Sequence, residues 1–250
     1  MKRKSENGLK RRNTVRRPIG KIILTLLFPN RCPVCDNIVR LRDGLICREC
    51  KEKWKVIQEP FCFRCGRPLA AREQEHCRDC MRKNHAYIRG RALYRYAEVR
   101  AAVYRFKYGG RCEYADFFGK KMAEELRTFI ESVKPDCLMP VPVSRKRLNR
   151  RGYNQAELLA EVMGRNLGVP VYTDLAVRNR DTVPQKELNA YQRQNNLKKA
   201  FKIKENDVKL STIIIIDDIY TTGSTIDALA EALQGVGVEK VYFAVLAISA

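Results

Sequence analysis

The period of apolar positions changes along this chain, and the changes mark its elements. Residues 1–17 carry no periodic apolar positions. Residues 19–28, IGKIILTLLF, form the first apolar run, broken by Lys21 and stopped by Pro29. Spanning a bilayer takes about 20 apolar residues. No small-residue cleavage site precedes Pro29, as a signal peptide would require. The run therefore reads as a short amphipathic helix docking on the body of the protein, with membrane-surface association as the alternative. Further on, Ala92–Ala97 has the pattern of an edge strand. Val99–Tyr108 and Tyr114–Ile130 have helical spacing, the second through Phe117, Phe118, Met122 and Leu126. Cys137–Val143 is a buried-strand candidate ended by Pro140 and Pro142. Asn154–Gly168 is a helix with Leu158, Leu159, Val162, Met163 and Leu167 on its apolar side, stopped by Gly168. Ile213–Ile216 is apolar and β-branched throughout, as in a parallel strand buried on both faces. A helix opening near Ser224 follows, through Ile226, Leu229, Ala230 and Leu233, and Lys240–Ile248 is the last strand. Strands alternating with helices predict an α/β fold.

The stretch between the two apolar regions is organised by cysteine. Eight of the ten cysteines form four C-x-x-C pairs: Cys32/Cys35, Cys47/Cys50, Cys62/Cys65 and Cys77/Cys80. The pairs recur every fifteen residues. Each pair turns two thiolates toward one point, and two pairs make a tetrahedral four-thiolate zinc site. Pro33 presets a turn in one knuckle, and Gly66 frees the backbone after another. Spacing allows sequential pairing (first with second, third with fourth) or an interleaved one (first with third, second with fourth), and one or two zinc ions. Disulfides of a secreted domain are the competing reading, disfavoured by the lack of a signal peptide. Zinc would supply folding energy to a stretch with few large apolar residues, where Trp54 and Phe61 are expected as mini-core residues. His76 and His85 are minor candidates for ligands. Cys112 and Cys137, unpaired by spacing, are expected as buried small hydrophobes.

The clearest chemistry lies in residues 212–235, TIIIIDDIYTTGSTIDALAEALQG. Asp217 and Asp218 follow the buried strand, and Thr221, Thr222, Gly223, Ser224 and Thr225 lead into the helix. A small-residue turn exposes backbone N–H groups, and the helix N-terminus adds positive potential, so this loop can cradle a phosphate. The acids suit sugar hydroxyls, or a metal near a second phosphate. No Gly-Lys-Ser/Thr is present, which disfavours a nucleoside triphosphatase of the Walker type.

The formal net charge of +21 then gains a location. Residues 1–17 (net +7), Arg145–Arg151 (+5) and residues 178–204 (+6) hold most of it. The first reads as a basic disordered arm. The second, with Arg145, Lys146, Arg147, Arg150 and Arg151, reads as a loop that is either solvated or an anion pocket for pyrophosphate or phosphodiester. Such charge implies polyanionic partners.

Four apolar residues, two acids and a Thr/Gly loop resemble the 5-phosphoribosyl-1-pyrophosphate (PRPP) motif of type I phosphoribosyltransferases. The resemblance implies that Asp217 and Asp218, the catalytic pair, bind the ribose 2- and 3-hydroxyls and that Thr221–Thr225 bind the 5-phosphate. It places pyrophosphate on Arg145 and Arg151, with Mg²⁺ accompanying PRPP. It makes residues 178–204 a hood loop, through Arg178, Arg180, Gln185 and Arg193. Thr221 stands where purine-salvage members often carry an Asp, which argues against purine salvage. Together, the CPVC and CGRP knuckles, YRFKYGGR, PVPVSRKRLNRRGYNQAELLA, RDTVPQKELNAYQRQNNLKKAF and IIIIDDIYTTGST resemble the ComF family of bacterial competence-associated proteins, from about Leu26 to the C-terminus.

That resemblance implies a type I phosphoribosyltransferase-like parallel sheet with helices on both faces, preceded by a small zinc ribbon. The expected divisions are a basic arm (1–18), an amphipathic helix plus zinc ribbon region (19–90) and a phosphoribosyltransferase-like domain (91–250). No apolar run approaches membrane length, and the protein is expected in the cytoplasm, either free or at the inner membrane face through a competence helicase/translocase that the resemblance implies as partner. There it would handle incoming single-stranded DNA during natural transformation. Two functional readings follow. One is a DNA-uptake protein whose domain binds PRPP or another phosphorylated ligand. The other is a phosphoribosyltransferase using Mg–PRPP on an unidentified acceptor.

Overall fold

A buried run such as Ile213–Ile216 needs apolar cover on both faces, and the fold supplies it. A computed structural model describes residues 29–40, 44–178, 200–204 and 209–249. Arg31–Ala250 forms one compact unit. The basic arm and the expected helix at 19–28 lie outside the described residues.

The sheet consists of β1 (Gly90–Arg95), β2 (Cys137–Pro140), β5 (Thr212–Tyr220) and β6 (Lys240–Ile248), in the order β1-β6-β5-β2. All three pairings are parallel, with Cys137 opposite Ile213, Ile213 opposite Val241 and Gly90 opposite Phe243. Successive side chains of a strand point to opposite faces. Ile213 and Ile215 accordingly join one core and Ile214 and Ile216 the other, all fully buried.

In the cysteine-rich segment a short helix, α1 (Arg78–Arg82), carries Cys80. On the second face lie α2 (Tyr96–Tyr108), α3 (Tyr114–Glu125), α4 (Arg127–Val133) and α6 (Gln155–Leu167). The first face is covered by α7 (Ser224–Gln234), through Ile226, Leu229 and Leu233, and by cysteine-rich chain. A small antiparallel pair, β3 (Ala176–Arg178) with β4 (Phe201–Ile203), brackets the expected hood loop. Arg180, Gln185 and Arg193 lie outside the described residues.

Helix α6 matches its expected limits because both ends are capped. Asn154 Oδ1 accepts from the Ala156 N–H at 3.2 Å, and Gly168 closes the helix at φ +70°. The expected helix Tyr114–Ile130 is instead two, hinged at Leu126. Met122, Leu126, Phe129 and Ile130 remain buried across the break, so apolar spacing alone reads it as continuous. The basic segment expected as a loop is a short helix, α5 (Arg145–Arg151). Ser144 caps it by accepting from the Arg147 N–H, and Gly152 ends it at φ +80°.

Two cysteine knuckles share one turn geometry. The N–H groups of Asp36 and Gly66 donate back to the carbonyls of Cys32 and Cys62, both at 2.8 Å. Both residues take left-handed backbone, φ +61° and +75°. Gly66 meets no strain there, whereas Asp36 is held by its partners. Tyr114 Oη and Arg111 Nε donate to its carboxylate at 2.6 and 3.0 Å. Arg105 donates to the carbonyls of Pro33 and Val34 in the same knuckle, at 2.9 and 3.2 Å.

Three expectations need correction. Trp54 is not a ribbon mini-core residue. Its ring packs among Tyr94, Phe117 and Phe118, joining the cysteine-rich segment to the helical face. Phe61 lies beneath the Arg91 guanidinium, 3.3 Å from ring centroid to Cζ. Cys137 is buried on β2 as expected, but Cys112 is exposed.

Candidate functional site

The cysteines resolve into two groups, Cys32/Cys35/Cys47/Cys50 and Cys62/Cys65/Cys77/Cys80, so the pairing is sequential. Within each group all four sulfurs lie within 4.8 Å of one another. Zn–S bonds of about 2.3 Å at tetrahedral angles space sulfurs about 3.8 Å apart. The Cys35–Cys47 and Cys65–Cys77 separations are both 3.7 Å. The donor set, all thiol sulfur and closed, suits two structural zinc ions. His76 and His85 belong to neither group.

The loop expected to bind phosphate sits where β5 hands over to α7. Strand β5 is longer than the apolar run predicts, so Asp217 and Asp218 lie within it and the loop begins after Tyr220. Thr221 and Thr222 are exposed, and the Thr222 and Ser224 hydroxyls lie 2.9 Å apart. Gly223 caps α7 at φ +77°, and a Cβ there would overlap the Tyr220 hydroxyl. Only glycine satisfies both conditions. The first turn of α7 leaves its N–H groups without intrahelical partners, facing a loop rich in hydroxyls.

A cavity of about 210 Å³ opens beside the loop. Of the residues expected from sequence, Asp217, Asp218, Thr221, Thr225, Arg151 and Arg178 line it. Thr222, Gly223 and Ser224 complete the turn, and Arg145 lies outside the lining. Helix geometry explains the difference. Arg147 and Arg151, four apart on α5, share the face toward the cavity, and both line it. Arg151 is held by Gln155 Oε1 at 2.9 Å and donates to Tyr108 Oη at 3.1 Å. Asn154, Gln155 and Lys107 add further polar groups to the lining.

Lys107 Nζ lies 2.8 Å from Asp218 Oδ2, and both side chains are largely buried. The two acids therefore differ. Asp218 has a direct cationic partner. Asp217 is pushed up to about 7 by burial and by the neighbouring Asp218 carboxylate, against the pull of Lys107. A buried carboxyl raised in this way beside a specific charge, in a cleft, is a candidate reactive group.

The second cysteine group buttresses this loop from behind. Arg67, in its CGRP knuckle, pairs with Asp79 at 2.9 Å and donates to the Thr221 carbonyl at 3.3 Å. Tyr87 and Tyr220 share a hydroxyl hydrogen bond of 2.6 Å, and Tyr220 stacks on Phe243. In the first turn of α7, Asp227 accepts from Lys83 Nζ at 2.6 Å, His85 Nδ1 at 3.0 Å and the Ala86 N–H at 3.1 Å. Burial opposes ionisation of Asp227, but the bonds from His85 and Lys83 hold it below the usual carboxylate range. Sequence reasoning missed Lys107 and Asp227, and it named Arg147 only as one of five cations in its segment. Lys107 lies in the YRFKYGGR motif and Asp227 in the loop motif, but their partners are more than a hundred residues away in sequence.

Fold and site together define a double zinc ribbon joined to a phosphoribosyltransferase-type domain. Comparison with known proteins agrees. The double zinc ribbon domain family matches residues 23–81, and the phosphoribosyl transferase domain family matches residues 149–249. Competence protein F of Haemophilus influenzae is 29% identical over 86% of this chain and 95% of its own. Competence protein ComFC of Bacillus subtilis is 31% identical over 76% and 78%. DNA utilization protein YhgH of Escherichia coli is 30% identical over 83% and 92%. The chain belongs to the ComF family of competence-associated, phosphoribosyltransferase-like proteins with an N-terminal zinc ribbon.

Proposed function

We propose that this chain acts in DNA uptake, handling incoming single-stranded DNA with a domain that binds PRPP or a closely related phosphorylated ligand. The observation that carries the reading is the cavity at the end of β5. It combines an acid pair, a Thr/Gly phosphate loop and four cations, Lys107, Arg147, Arg151 and Arg178. The loop takes the 5-phosphate on backbone N–H groups and hydroxyls. Asp217 and Asp218 accept hydrogen bonds from the ribose hydroxyls. Arg147 and Arg151, the latter held in place by Gln155, offer planar donors to the pyrophosphate. Mg²⁺ would accompany the ligand and neutralise part of its charge. The two four-cysteine groups would hold two zinc ions bracing the ribbons, and Arg67, Tyr87 and Asp227 tie the second ribbon and the segment after it to the loop.

The relatives named for competence and DNA utilization support a role in handling DNA. Among the described residues no helix is long and apolar enough to cross a membrane. We infer action in the cytoplasm, at the inner face of the membrane, through a helicase or translocase partner.

The second reading, phosphoribosyl transfer to an acceptor, is favoured by the elevated Asp217 beside an ion-paired Asp218. In that reaction an acceptor nucleophile bonds to the anomeric carbon while pyrophosphate leaves, and positioning and charge do most of the work. Competition between Mg–PRPP and a labelled single strand for the full, zinc-loaded chain tests the first reading. Mutual displacement, with no pyrophosphate released, supports it. Steady pyrophosphate release in the presence of candidate acceptors supports the second. If neither ligand binds, both readings fail.

A further inference from the structure

A second and larger cavity, of about 810 Å³, lies between the edge strand β1, the segment around Gln58–Phe61, and helices α3 and α4. It shares no lining residue with the phosphate-loop cavity. Arg89 and Arg91, two apart at the start of β1, both line it, as the alternation of an extended strand directs. Each guanidinium is placed by an aromatic ring. Arg91 lies over Phe61 at 3.3 Å and near Phe129 at 5.9 Å. Arg89 lies over Phe129 at 5.3 Å and donates to Ser132 Oγ at 3.1 Å. Among the described residues neither arginine has a carboxylate within ion-pair distance, although Glu59 and Glu125 stand on the lining. Burial and the charge of Arg89 push Arg91 down to about 10, the mark of a cation short of an anion.

We propose that this cavity is a nucleotide site, in which the Arg89/Arg91 pair takes a phosphate and the Arg91–Phe61 stack presents a flat face to a base. The volume falls in the range of small-ligand pockets. Paired guanidiniums are suited to phosphate oxygens, and an arginine plane already fixed on a ring is a stacking surface for a base. Glu59 and Glu125 disfavour a run of several phosphates through the cavity. They suit the amino groups and hydroxyls of one nucleotide unit. That unit is either a free mononucleotide or one residue of a single strand. Gly66 lines this cavity, and the next residue, Arg67, bonds the phosphate loop, so the CGRP turn separates the two sites. The proposal does not depend on PRPP binding at the loop.

The test titrates the full, zinc-loaded chain with adenosine monophosphate, an oligothymidylate and inorganic phosphate, against wild type, Arg91→Lys and Arg89→Gln. Arg91→Lys keeps the charge and loses the stacked plane. Melting temperature and zinc content check folding, and Mg–PRPP affinity reports separately on the loop. The proposal expects each variant to weaken the nucleotide or the strand about tenfold or more, with melting temperature and PRPP affinity unchanged. Loss for the mononucleotide identifies a free nucleotide as ligand, and loss for the strand alone identifies a residue of single-stranded nucleic acid. The proposal is overturned if both variants bind both probes as wild type does. It is equally overturned if adenosine monophosphate and the strand bind no tighter than inorganic phosphate, or if affinity falls only in step with melting temperature.

Discussion

Asp217 and Asp218 are neighbours on one strand, yet among the described residues only Asp218 has a cation within ion-pair distance, and that asymmetry makes testable predictions. The folded chain holds the Asp217 proton up to about 7, far above an unfolded aspartate. The unfolded chain thus loses this proton first as pH rises, and ionisation of Asp217 destabilises the fold progressively from about pH 4 to 7, most fully above that. Asp217→Asn should therefore raise the melting temperature more at pH 8 than at pH 5. An equal gain at both values would contradict the assignment. Lys107→Ala should act in the opposite direction. It removes the 2.8 Å partner of a largely buried carboxylate and should lower stability by about 1–3 kcal/mol in urea denaturation near neutral pH. The acid pair was legible in sequence because it adjoins an unmistakable apolar run. Its cation was not, because Lys107 reaches it only once α2 has packed against the sheet.

Elements carry the next level of the account. Most of them follow from apolar period, since β5 and β6 are buried on both faces and α6 is capped at both ends. The break at Leu126 and the helical state of Arg145–Arg151 were hidden. A hinge that keeps every apolar residue buried leaves the pattern intact, and a run of arginine has no apolar face to reveal a helix. The two cysteine groups have equivalent knuckles but different neighbours. The first docks on α2 and α3 through Arg105, Arg111 and Tyr114, and the second holds the loop after β5 through Arg67. Arg67→Ala should weaken Mg–PRPP about five- to tenfold in calorimetry, the loss of roughly 1 kcal/mol of positioning, with zinc content unchanged. Arg105→Ala should leave that affinity near wild type while lowering stability. Equal effects of the two substitutions would refute the separate roles.

For the whole molecule, the +21 charge has a partly resolved distribution. Arg147, Arg151 and Arg178, from two of its three dense segments, meet Lys107 around the loop cavity. If a single strand lies against these four cations, log affinity should fall with log salt at a slope of about −3, from roughly 0.7 per phosphate contacted. Removing residues 1–17 should flatten whatever exceeds that value. A slope near zero would exclude phosphate contacts as the source of binding.

The central claim is that the end of β5 is a PRPP-type site braced by a zinc ribbon, and calorimetry of the zinc-loaded chain with Mg–PRPP tests it most directly. The expected result is saturable heat at one ligand per chain, abolished in the Asp217→Ala/Asp218→Ala double variant and reduced when zinc is chelated. Absence of heat from the wild-type protein, or heat that the double variant retains in full, would contradict it.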